Sequence, residues 1–238
     1  MKIQQAMVFI CLSAVSANAG AILSPAGSAA DPAFDVVRAA VSAKDGTLTF
    51  TIDVAGQAGA AVPQATGAMA GSQVFAYVWP TSLDSSAAGF AAGAGILALA
   101  VTAHPDFDDT PLYDEDGDGK TDNDGANWHS HWVVLAKDEA CKAGLKVKDV
   151  APGTDVTMPA TAPGVPLFLD SPEARPALSG ASLSLSVPMP EGSATMTFDG
   201  VTAGLRVNTA MAAPLLCVTD VFKVASGDLS LPGTVEIK

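Results

Sequence analysis

Basic residues are scarce in this chain. Only 12 of its 238 residues are Lys or Arg, against 25 Asp and Glu, and the formal net charge is −13. Proteins that bind nucleic acid neutralise phosphates with clustered Lys and Arg. The sequence has no such cluster, so its charge argues against a nucleic-acid-binding protein.

The sequence also lacks the common signatures of nucleophilic and phosphate chemistry. It contains no G-x-S-x-G, no phosphate-binding loop and no H-E-x-x-H. Its carboxylates are concentrated in one segment, which leaves no separated pair for glycoside hydrolysis. We therefore expect a binding protein rather than an enzyme.

Long apolar runs are missing except near the N-terminus. There Lys2 is followed by the run AMVFICLSAV and by Ala17-Asn18-Ala19. The run is shorter than the ~20 residues that span a bilayer, and the small residues fit a signal-peptidase site. The pattern predicts a signal peptide over residues 1–19, cut after Ala19, and export to the periplasm or cell exterior.

Cysteine is rare as well, and Cys11 would leave with the signal peptide. The two that remain are Cys141 and Cys217. In an exported protein an even pair predicts a disulfide bond. Two unpaired thiols, or a thiolate bound to a metal, are the alternatives.

The rest of the chain is patterned as short strands. Residues 20–30 are small and weakly patterned, which predicts a flexible lead, and residues 31–238 read as a single domain. In TLTFTIDV, Leu48, Phe50, Ile52 and Val54 alternate with polar residues, as in a half-buried strand. Lys44-Asp45-Gly46 before it predicts a hairpin turn.

Residues 96–103, ILALAVTA, are apolar on both faces and predict a central strand. A helix over residues 87–103 is the alternative, which its glycines disfavour. Apolar residues make up 49% of the chain, enough for a packed core. Together these patterns predict an all-β fold, an antiparallel β-sandwich of jelly-roll or immunoglobulin-like type with a long acidic metal-binding loop.

The opening segments FDVVRAAVSAKDGTLTFTIDVAG and VFAYVWPTSLDSSAAGF resemble the leading strands of DOMON-like domains. These are secreted β-sandwiches related to carbohydrate-binding modules. The resemblance covers about a third of the chain and implies a haem or carbohydrate ligand. Haem-binding members use a Met and a His as axial ligands, and no residue here is matched to either position.

An acidic segment, YDEDGDGKTDNDG, begins at Tyr113. Ca²⁺ takes 6–8 oxygen ligands, and a chain wrapped around it presents every second side chain. The segment resembles the calcium loops of EF-hand, dockerin and thrombospondin type 3 proteins. The resemblance implies a ligand set of Asp114, Asp116, Asp118, the Lys120 carbonyl, Asp122 and Asp124.

The segment departs from an EF-hand at its end, because the twelfth position is Gly125 rather than Glu. The missing ligand would be Asp124, or Asp106, Asp108 or Asp109 folded back. We expect a structural calcium ion of modest affinity, with a dissociation constant of about 10⁻⁴–10⁻³ M. A solvated acidic turn without an ion is the alternative.

All three histidines, His104, His129 and His131, flank this acidic segment. On a strand His129 and His131 share one face, and Trp128 and Trp132 share the other. A His-x-His pair can offer two imidazoles to Zn²⁺ or Cu²⁺, and His104 would return to them across the acidic loop. Hydrogen bonds from the histidines to Asp106 or Asp124 are the alternative, and the tryptophans could stack on a sugar.

These observations lead to one expected function and two alternatives. We expect an exported, calcium-stabilised, non-catalytic β-sandwich that binds a metal ion or a small ligand. The first alternative is a zinc- or copper-handling protein or metalloenzyme that uses the three histidines. The second is a carbohydrate- or haem-binding DOMON-like module.

Overall fold

The computed structural model describes residues 20–238, so the predicted signal peptide and its cleavage site lie outside the described residues. The strands are β1 Ala21–Leu23, β2 Val36–Lys44, β3 Thr47–Val54, β4 Gln73–Pro80, β5 Ile96–Ala103, β6 His129–Lys137, β7 Leu145–Val147, β8 Leu169–Asp170, β9 Ala177–Ser179, β10 Ser182–Pro188, β11 Thr197–Phe198, β12 Val201–Val207, β13 Leu216–Val224, β14 Gly233–Thr234 and β15 Glu236–Ile237. Short 3₁₀ helices occupy Pro32–Phe34, Ser85–Ala88, Asp124–Ala126 and Ser193–Thr195. The predicted all-β class is confirmed, and within residues 20–238 no helix is long and apolar enough to cross a bilayer.

One sheet has the order β1-β2-β3-β10-β9, with β15 added parallel to β2. The turn between β2 and β3 falls where the sequence predicted it. Asp45 and Gly46 both adopt positive φ, 48° and 75°, as in the two-residue turns that match strand twist. The sequence therefore specified this hairpin locally.

The segment before the hairpin differs from the expected flexible lead. Residues 21–23 form β1, which pairs antiparallel with β2 at Ala21↔Ala40 through Leu23↔Arg38. Ile22 is buried in the core. Pairing with β2 orders this segment despite its weak pattern.

The second sheet closes on itself. Its order is β5-β4-β12-β13-β7-β6-β8, and β5 also pairs with β6, so six strands form a closed barrel. Closure satisfies the backbone groups that an open edge would expose. The sequence predicted the sandwich-like all-β class but not this closure.

Strand β5 belongs to two cores at once. Leu97, Leu99 and Val101 pack into the core between the barrel and the first sheet, whereas Ala98 and Ala100 face the barrel interior. The central-strand prediction is confirmed, and the alternative helix over residues 87–103 is wrong. The described chain is helical there only at Ser85–Ala88.

A disulfide joins Cys141, in the turn after β6, to Cys217 in β13, as predicted. The cysteines are separated by 76 residues. Strands β6 and β13 both belong to the barrel, so the disulfide links two parts of the barrel that are distant in sequence. The alternatives of free thiols or a metal-bound thiolate are therefore not realised.

Replacing both cysteines, Cys141→Ser with Cys217→Ser, should lower the free energy of unfolding by at most about 4 kcal/mol. The denatured chain gains the freedom that the long loop had lost. Urea unfolding checks this, and added reductant, which lowers the wild-type midpoint, should leave the double variant unchanged. Equal midpoints for wild type and variant would contradict the prediction.

Candidate metal centre

The three histidines meet at one end of the barrel. His104 directly follows β5, and the β5–β6 register pairs Thr102 with His129 and Ala100 with His131. His129 and His131 lie on the same side of β6 because strand side chains alternate. The pairing of two neighbouring strands therefore determines where all three imidazoles lie.

A fourth side chain, that of Asp109, completes the cluster. Its Oδ1 is 3.2 Å from Nε2 of His104, 3.1 Å from Nε2 of His129 and 3.2 Å from Nε2 of His131. The Nε2 atoms of His104 and His129 are 3.0 Å apart. All four residues are at most 7% exposed, so the atoms converge in a site shielded from water.

The opposite ring nitrogens define the tautomers. Each Nδ1 approaches a backbone carbonyl: 2.9 Å from His104 to Phe107, 2.7 Å from His129 to Asn127 and 3.3 Å from His131 to Asp170. A carbonyl only accepts, so each Nδ1 carries the proton and donates. In the neutral rings, every Nε2 then presents a lone pair to the centre of the cluster.

Four acceptors therefore face one another. The Thr102 hydroxyl lies 3.2 Å from Nε2 of His129 and can donate to it, whereas the buried Nε2 of His131 has no hydrogen-bond partner among the described residues. Such crowding of lone pairs is unfavourable unless a cation lies between them. One proton would satisfy one pair of atoms, whereas a metal ion would satisfy all four.

The charge of Asp109 suits it to this position. Burial opposes its ionisation, but positive charge on His131 and His104, with hydrogen bonds donated by His104 and His129, would hold the pKa of Asp109 well below its usual range. A metal ion at the centre would supply that positive charge in place of the protons while the imidazoles stay neutral. An ionised carboxylate and three unprotonated imidazole nitrogens form a ligand set for a divalent transition ion.

The loop from His104 to Thr110 is held in place by neighbours that lie outside the cluster. The His104 backbone N–H donates to the Gly125 carbonyl at 2.6 Å. Asp108 accepts from the N–H of Thr110 and from that of Asp124, each at 2.8 Å. The His104 ring stacks on Phe107 with centroids 4.0 Å apart. These contacts fix the ring of His104 and the approach of Asp109.

Gly125 makes this close approach possible. A Cβ at this position would overlap the Phe107 carbonyl oxygen and lie 2.6 Å from the His104 carbonyl oxygen. The Phe107 carbonyl orients the His104 ring by accepting a hydrogen bond from its Nδ1. The residue that departs from the EF-hand pattern therefore has a steric role beside the histidines.

The acidic segment folds into a different grouping from the alternating one expected. Asp114, Asp116 and Asp124 bring carboxylate oxygens within 4.8 Å of one another, as do Asp108, Glu115 and Asp124. Burial raises the pKa of Glu115, and the charges of Asp108 and Asp124 add to the increase. The segment thus concentrates negative charge around Asp124.

The other residues of the expected calcium set lie outside these groups. Asp118 accepts from the Lys120 N–H at 2.8 Å and from Asn123 Nδ2 at 2.9 Å, and its carboxylate is 3.4 Å from Lys120 Nζ. The Asn123 hydrogen bond and those from Lys120 lower the pKa of Asp118. Asp122 is exposed. Several carboxylates in this segment therefore stabilise turns through backbone N–H groups.

The two tryptophans beside the histidines pack into the protein. Trp132 is 5% exposed and meets Phe50 at 6.0 Å between centroids. Trp128 lies 5.0 Å from Tyr77 and donates its Nε1–H to the Gly59 carbonyl. Trp132 is therefore part of the core, whereas Trp128 is half-buried and lines a surface cavity with Tyr113 and Arg175.

Comparison of the chain with family models, with curated proteins and with solved structures gave no match. The site is therefore interpreted from its own geometry. The histidines were identified from the sequence, but Asp109 was considered only as a calcium ligand. Its position five residues after His104 does not reveal that the chain turns back at Phe107.

Gly125→Ala should weaken Zn²⁺ binding by roughly 10- to 100-fold without altering a ligand, because it displaces the Phe107 carbonyl that orients His104. Titration of the metal-free protein against a competing chelator measures the effect. Ala126→Ser, at the exposed neighbouring position, is the matched control and should bind like wild type. Equal affinity for Gly125→Ala and wild type would show that the carbonyl has no orienting role.

Proposed function

We propose that this protein is an exported β-barrel sandwich that binds one first-row transition ion, zinc or copper, through His104, Asp109, His129 and His131. The observation that carries the proposal is the meeting of four electron-pair donors in one buried site. Export rests on the predicted signal peptide. The metal site accounts for the crowding of these donors in the part of the chain that the structure describes.

The ligand types indicate the kind of ion. Imidazole nitrogens suit zinc, copper, iron and nickel, whereas calcium and magnesium prefer oxygen. Three nitrogens and one carboxylate oxygen therefore favour a transition ion at this site. The Irving–Williams order places copper above zinc for such donors, and availability in the compartment decides between them.

The burial of the site favours binding over hydrolytic catalysis. The protein itself supplies four ligands, as in structural zinc sites, whereas catalytic zinc sites usually have three with water as the fourth. With Asp109 ionised, a divalent ion leaves one net positive charge in a buried site, less than in a site of three neutral histidines alone. The arrangement supports a stable resident ion.

The purified protein should contain close to one equivalent of zinc or copper, measured by elemental mass spectrometry. His131→Gln keeps the size of the side chain but removes the imidazole nitrogen, and Asp109→Asn removes the charge. Both should reduce bound metal well below one equivalent. Asp155→Asn, an exposed carboxylate between β7 and β8, is the control and should retain it.

Removing the metal should also lower thermal stability, because an ion that binds only the folded chain stabilises it by mass action. The stabilisation is about 4 kcal/mol when free metal is 1,000 times the dissociation constant. A chelator should therefore lower the melting temperature of wild type but not that of His131→Gln. Wild type without zinc or copper, and with no response to either metal, would refute the proposal.

The expected calcium ion remains a second candidate role for the acidic segment. Two observations favour it: the carboxylates gathered around Asp124, and the raised pKa of Glu115 among them. A divalent ion would relieve the repulsion between these groups. It would then stabilise the long connection between β5 and β6, which carries His104 and Asp109.

Calcium titration tests this role separately from the histidine site. Wild type should release or absorb heat with a dissociation constant of about 10⁻⁴–10⁻³ M, and calcium should raise its melting temperature. Asp124→Asn should abolish both effects, and Asp155→Asn should not. No heat and no temperature shift in wild type would leave the acidic segment as a set of turns without an ion.

A further inference from the structure

The barrel has a cavity of about 80 Å³ that reaches the histidine cluster. His104, Asp109 and His131 line one end of it, and its remaining wall is almost wholly apolar. Small side chains create the space, because Ala76, Ala100 and Ala203 face inward from three different strands. A metal ion held by the cluster would therefore border an apolar chamber.

The chamber extends along the barrel to the protein surface. Pro80 lines it and stands at the end of β4 opposite the histidines, since β4 pairs Phe75 with Ala103 and Pro80 with Ala98. Val221 and Leu229 also line it and are 44% and 39% exposed. The chamber wall thus includes apolar residues at the protein surface, where a small apolar molecule can enter and reach the cluster.

Size and polarity define what the chamber can hold. Apolar cavities of about 150 Å³ stay dry and admit benzene or xenon, and this cavity is about half that volume. A water molecule needs two to four polar partners, which the wall supplies only at the end beside the histidine cluster. A charged ligand would lose its hydration without compensation. The best occupant is a small neutral molecule of diatomic size.

We infer that the barrel interior delivers a small neutral diatomic molecule, of the class that includes dioxygen, nitric oxide and carbon monoxide, to the metal ion. This inference rests on the proposed metal site. On copper(I) the ligand would replace Asp109, which lines the chamber. The bond from the ion to Asp109 Oδ1 would break as the bond to the ligand forms, the three imidazoles would stay bound, and the oxidation state would not change. The ion must then be one that binds such molecules, copper rather than zinc.

Carbon monoxide and copper(I) provide the test. The protein is loaded anaerobically with copper(I), its copper content is measured, and carbon monoxide is added while the C–O stretching band is recorded by infrared spectroscopy. Wild type should give one band that saturates. Ala100 pairs with His131 across β5 and β6, so Ala100→Val adds two methyl groups to the chamber wall beside that histidine. The variant should bind carbon monoxide at least tenfold more weakly while its copper content stays unchanged.

Two further variants control for general effects of the substitution. Ala76→Val narrows the chamber from β4 and should act in the same direction if Ala100→Val folds poorly. Ala177→Val makes the same change on the exposed strand β9 and should behave like wild type. Xenon NMR of the metal-free protein reports the chamber independently, with a bound signal in wild type that Ala100→Val diminishes.

The outcomes separate this inference from the proposed function. Failure to bind copper or zinc would refute the metal site and the inference together. Copper binding without a carbonyl band in wild type, or an equal band in folded, copper-loaded Ala100→Val and Ala76→Val, would overturn the inference alone. Recovery of the native protein with zinc as its only metal would also overturn it and leave the proposed function standing.

Discussion

The Oδ1 atom of Asp109, with three imidazole lone pairs 3.1–3.2 Å away, is the constraint on which the site depends. All four atoms accept, and none can turn toward water because the residues are buried. The fold keeps them together through barrel closure, the loop contacts of Asp108 and the close packing of Gly125. Holding four acceptor atoms together in a buried site is unfavourable by itself. A cation between them would remove their mutual repulsion and make the arrangement stable.

The proposed metal binding would be coupled to folding in this arrangement. His104 and Asp109 lie before the long acidic connection, and His129 and His131 lie after it, so one ion would link both ends of that connection. Ordering a long connection costs conformational entropy, which the acidic segment offsets partly by capping its own turns with carboxylates. Because the unfolded chain lacks the preformed site, much of the free energy of metal binding would become free energy of folding.

The predictable features are those encoded by neighbouring residues. Alternation identified β3, the Asp45-Gly46 turn and the shared face of His129 and His131, and the even cysteine pair identified the disulfide. Pairings between distant segments were not predictable. Closure of the barrel depends on β5 meeting β6 across the acidic connection, β1 is ordered only by pairing with β2, and Asp109 reaches the histidines only because the chain reverses at Phe107. Local sequence contains no period that encodes these reversals.

The chamber inside the barrel differs from a simple defect in packing, because its wall is apolar and its polar side chains are gathered at one end. A cavity costs stability in proportion to its volume, and the opposite faces of the same strands show that this chain can pack tightly: Tyr77, Trp79 and Leu99 are fully buried against the first sheet. Alanines at inward positions of β4, β5 and β12 leave the space. Among the described residues, the polar side chains that line it are those of Thr102, His104, Asp109 and His131. Larger side chains at those alanines would fill the space and block the path to the proposed ion. The space that the alanines leave unfilled is therefore the path by which a small molecule would reach the ion.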